Sequence, residues 1–156
     1  MIARETGEVM YEHGMITPVV ALVVWSLIML IWLYATRIPA MSGAKLRPGQ
    51  ATRAQMEALP AWAANPASNY NHLMEQPTLF YALCFALQFL DQANDVNIGL
   101  AWLYVILRVV HSLVQATVNI IIIRFLIFVT ASIVLVMLAV HAAIGVGMID
   151  ASFIHH

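Results

Sequence analysis

The chain is poor in charge. Of its 156 residues only 10% are Asp, Glu, Lys or Arg, where an ordinary soluble domain carries about 25%. Seven basic residues face eight acidic ones, and no basic run stands out, so nothing points to nucleic acid as a partner. Cysteine is almost absent. Cys84 is alone, which rules out an intrachain disulfide, and within Leu83-Cys84-Phe85 it reads as a small apolar packing residue. No HExxH, CxxC or paired-carboxylate motif occurs, so metal-dependent hydrolysis has no support and no metal is expected. There is no internal repeat and no low-complexity tract. A cleavable signal pattern is also missing: the first apolar run follows an acidic leader and is too long for a signal segment.

What the chain has is apolar length. It is 62% hydrophobic, with a mean hydropathy of +0.84. A helix needs about 20 apolar residues to cross a bilayer, and spans are expected at about 16–38, 69–90, 98–118 and 121–148. The fold class is therefore an all-α integral membrane protein: one domain over 1–156, a bundle of four transmembrane helices in antiparallel up-down topology. Residues 1–15, with Arg4, Glu5, Glu8 and Glu12, are expected at the interface. Pro18 lies in the first turn of the first span, where proline is tolerated. In the 39–68 connection, Thr52–Leu59 reads as a short helix capped by Thr52. Ser68 or Asn69 is expected to cap the second span. Pro77 should kink it and free a carbonyl about four residues earlier. Asn119 marks a tight turn. Gly145 and Gly147 mark small-residue packing or fraying at the end of the fourth span.

Basic residues orient the bundle. Arg37, Lys45, Arg47 and Arg53 belong to the 39–68 loop or its edge, and Arg124 follows the Asn119 turn. The 91–97 turn carries Asp91 and Asp95 and no base. The long loop and the Asn119 turn are thus expected in the cytoplasm and both termini outside; the bacterial inner membrane and its periplasm are implied only by the family resemblance given below.

Charge within hydrocarbon costs several kcal/mol unless it meets a partner or a wet cavity. On span three, Arg108, His111, Ser112, Gln115 and Asn119 fall on one helical stripe. On span two, Asn71, Glu75 and Thr78 share another. At 1.5 Å per residue, Glu75 lies about 9 Å inside the cytoplasmic face, His111 about 10 Å and Arg108 about 15 Å. The two stripes are expected to meet, with Glu75 between His111 and Arg108. One reading is a structural network that fixes helix packing. The other is a pocket, open to the cytoplasm, for a polar ligand. Five polar residues on one stripe favour the pocket, since one ion pair would suffice for packing. Arg124 either snorkels to lipid head groups or reaches an anionic ligand at the pocket mouth. His141 reads as a hydrogen-bonded packing histidine and Gln88 as a helix–helix contact. A metal site among His13, His155 and His156 has little support, and His155-His156 reads equally as natural chain or tag.

The stretch 65–81, NPASNYNHLMEQPTLFY, followed by 107–115, LRVVHSLVQ, resembles the MAPEG family, the membrane-associated proteins in eicosanoid and glutathione metabolism. The likeness covers the whole chain and is greatest to the bacterial branch. It implies a homotrimer of four-helix bundles that binds glutathione between subunits near the cytoplasmic side. It also implies glutathione-dependent transferase or peroxidase chemistry on lipophilic electrophiles or lipid hydroperoxides. The family's second span carries Arg, then Asn four residues on, Glu three further and Pro three further. Asn71 and Pro77 match; Ala67 stands at the Arg position and Met74 at the Glu position, with Glu75 next to it. The third-span pattern, Arg with Tyr three and seven residues on, is here Arg108, His111 and Gln115.

By this resemblance Asn71, Glu75, Arg108, His111 and Gln115 would bind glutathione, with Glu75 suited to its ammonium group. Arg124, then Arg108, would hold the thiolate as catalytic residues. Glutathione is the only co-substrate implied, membrane lipids are the surroundings, and no metal is needed. The competing expectation is a catalytically silent accessory subunit packed with other membrane subunits, which the substitutions at Ala67, His111 and Gln115 favour. A small transporter or lipid-binding module is a third, without broken-helix repeats to support it.

Overall fold

The structure, a computed structural model, describes residues 14–47 and 49–150. The expectations for residues 1–13, and for His155 and His156, lie outside the described residues. Six helices appear among them: α1 (Ile16–Gly43), α2 (Arg53–Glu57), α3 (Ala61–Glu75), α4 (Pro77–Phe89), α5 (Asp95–Ala116) and α6 (Ile121–Gly145). Three of these, α1, α5 and α6, are long and apolar enough to cross a membrane. The α3 and α4 helices, at 15 and 13 residues, are each shorter than a span, because Pro77 cannot donate a backbone bond and the helix breaks at Gln76.

Several boundaries differ from the sequence reading, each for a local reason. α1 runs past Pro39 to Gly43 because Ala40 packs against Leu59 and Ala63, which holds the tail of the helix. α3 starts at Ala61 rather than near Asn69: the carbonyl of Pro60 accepts from Ala63 and Ala64, so Ser68 and Asn69 lie inside the helix and cap nothing. α5 starts at Asp95 because the Asn94 side chain accepts from the Asn97 amide. Thr52 caps α2 as expected, through a full capping box with Gln55. Asn119 turns the chain at φ 51.

The main core joins α1, α4, α5 and α6. Leu22, Phe80, Tyr104 and Leu138 are fully buried in it, and the rings of Phe80 and Tyr104 stack at 4.5 Å. Cys84 is buried there as a packing residue. Gln88 accepts from the backbone amide of Met15 at 3.0 Å and so ties α4 to the start of α1. His141 bonds through Nδ1 to the Asn97 side chain. The outward faces of α1 and α6 stay apolar, with Ile31, Ile121 and Val136 exposed, as lipid contact or subunit contact requires.

Candidate functional site

The break between α3 and α4 is wrapped around Arg108 of α5. This guanidinium is 1% exposed. Its Nη2 donates to the carbonyl of His72 at 2.9 Å and its Nη1 to Oε1 of Gln76 at 3.2 Å. Gln76 in turn donates to Oγ of Ser132 on α6 at 2.7 Å. Proline at 77 removes the amide that would bond the Leu73 carbonyl; beside it, Arg108 donates to the His72 carbonyl and the Thr78 hydroxyl to that of Glu75 at 2.6 Å.

Two further rungs join α3 to the α5–α6 region. Gln115 donates to Oγ of Ser68 at 3.2 Å, and Asn119 donates to Oδ1 of Asn65 at 3.0 Å. Residue numbers rise along α3 as they fall along α5. Asn119 also accepts from Nη1 of Arg124 and fixes that side chain at the start of α6.

Glu75 does not sit between His111 and Arg108. Its side chain is 72% exposed, and Oε2 lies 3.6 Å from Nδ1 of His72. The reason is angular: Gln76 follows Glu75 by about 100° around the helix, and it is the neutral amide that faces α5, where a carboxylate would be costlier to bury.

The candidate residues divide among three settings. Glu75, His111 and Arg124 share a cavity of about 310 Å³ with His72, Gln76, Ile121, Phe125 and Phe128. One wall of it is polar and the other aliphatic and aromatic. His111 is 5% exposed, and its Nδ1 has no partner among the described residues; the same holds for the buried Nε of Arg124. The His72 ring meets His111 edge-on with centroids 6.5 Å apart, and Phe128 lies 6.3 Å from His111 on the other side.

Asn71 lines a different cavity, of about 480 Å³, with Ala67, Ser68, Asn65, Arg37 and Arg53. There the Arg53 guanidinium bonds Glu57 at 2.7 Å, which raises its pKa above the ordinary arginine value. Arg108 and Gln115 line neither cavity and serve as buried helix ties.

Sequence reasoning passed over His72, Gln76, Ser68 and Asn65. The signal was present: 65, 68, 72 and 76 are spaced as one helical face, the counterpart of 119, 115, 111 and 108. Chemically, the smaller cavity offers a fixed cation, unpaired imidazole and guanidinium nitrogens, and an apolar wall, which suits an anionic sulfur or oxygen next to a lipophilic body. Among the described residues no group of His, Cys, Asp and Glu could hold a metal ion.

Residues 15–144 match the family model described as MAPEG family. No curated protein and no solved structure matches the chain.

Proposed function

Because the chain belongs to the MAPEG family, we propose that it is a membrane-embedded, glutathione-dependent transferase or peroxidase for lipophilic electrophiles or lipid hydroperoxides. The observation that carries this reading is the cavity that Arg124, pinned by Asn119, shares with His111, whose Nδ1 is unpaired, and with Phe125 and Phe128 of its own helix. A free thiol has a pKa near 8.5, so little of it is thiolate at neutral pH. A guanidinium beside the sulfur favours the thiolate by opposite charge. The buried, unpartnered Nε of Arg124 fits that role, because it is a donor without an acceptor. Arg108 does not, because it lies outside the cavity and both its Nη atoms bond within the chain. Glutathione supplies the nucleophilic thiol. Glu75 has a carboxylate oxygen open for its ammonium group, and Asn71 lies one turn before Glu75 for its peptide portion.

In this reading α3 and α4 together make the second crossing, which gives four antiparallel spans with the 39–68 loop in the cytoplasm. Asn71, Glu75 and Thr78 are exposed on that crossing. Polar side chains at such depth call for a protein neighbour rather than lipid, which supports a homotrimer with its ligand site between subunits. One observation favours the accessory-subunit reading instead: Arg108 and Gln115, two of the family-pattern positions, are consumed by helix packing.

Purified protein given glutathione and chlorodinitrobenzene is expected to consume free thiol, and Arg124→Ala is expected to slow this about 100-fold. Binding is checked by unfolding temperature, since ligand at 100 times its Kd stabilises by about 2.7 kcal/mol. No thiol loss and no stabilisation by millimolar glutathione would leave the accessory reading standing.

A further inference from the structure

Arg37, Lys45, Arg47 and Arg53 lie between the end of α1 and the start of α2, and Glu57 is the one acid in this stretch of sequence. Glu57 bonds Arg53 at 2.7 Å, so Lys45 and Arg47 are left without an ion pair among the described residues. These two cations line a hollow of about 300 Å³ with Leu46, Gln50, Ala51 and Gln55, and no acid lines it. Gln55 turns its Oε1 back to the Thr52 amide at 2.9 Å, which leaves its Nε2 donor for the hollow. Two cations and amide donors around one concavity suit an oxyanion.

The backbone gives a second, independent sign. Lys45 has φ 54 at the end of α1. Its amide donates to the Ser42 carbonyl and the Leu46 amide to that of Met41, both at 3.0 Å, while Met41 and Leu46 pack against Ala40, Leu59 and Ala63. In this kind of helix ending the left-handed residue is ordinarily glycine. A lysine takes that conformation only against strain, and strained backbone gathers where a particular side chain is needed.

We propose that this hollow binds the phosphate of an anionic glycerophospholipid. Depth favours a lipid. α1 has 28 residues, a length of about 42 Å at 1.5 Å per residue, whereas the hydrocarbon core is about 30 Å thick. With Ile16 at one edge of that core, the other edge falls near Arg37. The last turns of α1 then rise through the head-group layer and deliver Lys45 to its outer part. Anionic head groups attract cations placed there. Lys45 Nζ, the Arg47 guanidinium and Gln55 Nε2 donate to the phosphate oxygens, and the guanidinium can meet two of them at once. Ile31 and Ile38 are exposed lower on α1 and offer the acyl chains an apolar face. The bound lipid fastens the α1–α2 connection to the membrane surface. The site shares no lining residue with the Arg124 cavity, so it stands or falls apart from the glutathione reading.

The test titrates the full chain, purified in mild detergent, with phosphatidylglycerol, phosphatidylcholine and inorganic phosphate. Bound lipid is counted by native mass spectrometry, and phosphate binding is followed by unfolding temperature. Phosphatidylglycerol is expected to bind at least about fivefold tighter than phosphatidylcholine, and less tightly as salt rises. Lys45→Gly is expected to weaken phosphatidylglycerol about fivefold. The unfolding temperature of that variant without lipid should stay level or rise, since glycine suits the left-handed backbone. Arg47→Gln is expected to cost about fivefold as well, and it decides the matter should Lys45→Gly not fold. Arg53→Gln removes the same charge from a guanidinium already held by Glu57, and is expected to change affinity by less than about twofold. Equal affinity for the two lipids, or Lys45→Gly and Arg47→Gln both within about twofold of wild type, would overturn the inference. Equal losses in Arg53→Gln and Lys45→Gly would mean a diffuse charge effect and would overturn it too. Inorganic phosphate bound as tightly as phosphatidylglycerol would give the hollow to a free anion rather than to a lipid, and would likewise overturn it.

Discussion

Arg108 is the bulkiest fully buried side chain among the described residues, and it bonds to a carbonyl and an amide rather than to a carboxylate. Arg108→Ala would leave both acceptors without a donor, at a cost of about 1–3 kcal/mol each. Thermal unfolding in detergent is expected to show that loss, with activity per folded molecule falling less than in Arg124→Ala. Asn119 combines a left-handed backbone with bonds to Asn65 and Arg124. Asn119→Ala is expected to destabilise by roughly 1–3 kcal/mol through backbone strain and to weaken thiol activation by freeing Arg124; Asn119→Gly should recover the first loss and not the second. The polar stripe on α5 was readable in the sequence, because its spacing is regular. Its partner was misassigned. Asn71, Glu75 and Thr78 share one face of α3 and the start of α4, and Asn65, Ser68, His72 and Gln76 another, and charge drew attention to the first. The face turned toward α5 carries no carboxylate, which would cost more there than an amide or hydroxyl does.

At the scale of the element, helix existence followed from composition and helix ends did not. The run of apolar residues in α1 and α6 leaves no alternative in a bilayer. The start of α3 depends on Pro60 and on Ala63 packing against Ala40 and Leu59, a contact between segments more than 20 residues apart that periodicity does not report. Pro77 was legible as a kink, and in the structure it interrupts the helix at Gln76, which keeps helical dihedrals of φ −65 and ψ −39, with Arg108 and Thr78 bonding carbonyls on either side of the interruption. The short α2 is held by its capping box and by Met56 packing against Ala40, Leu59 and Ala63. Thr52→Ala removes its capping box and is expected to cost about 1 kcal/mol, seen as faster amide exchange across residues 53–57 with no change in the spans.

For the whole molecule, membrane character and family were legible, since both rest on patterns spread along the chain: apolar length and residues 15–144 of the MAPEG match. The site was legible only in part, because which stripe faces inward is set by the break at Gln76 and by packing among α3, α5 and α6. The proposed assembly rests on the exposed Glu75 and Asn71 of α3. Crosslinking in intact membranes is expected to stop at a trimer; a monomer under the same conditions would leave Glu75 facing lipid and would contradict the proposed intersubunit site. The most direct measurement is the ultraviolet absorbance of glutathione thiolate on adding the tripeptide to purified wild-type protein and to Arg124→Ala at neutral pH. A thiolate band that grows with wild-type protein and is absent with Arg124→Ala is the expected result. No band with either, or equal bands with both, would contradict a cavity in which Arg124 holds the sulfur.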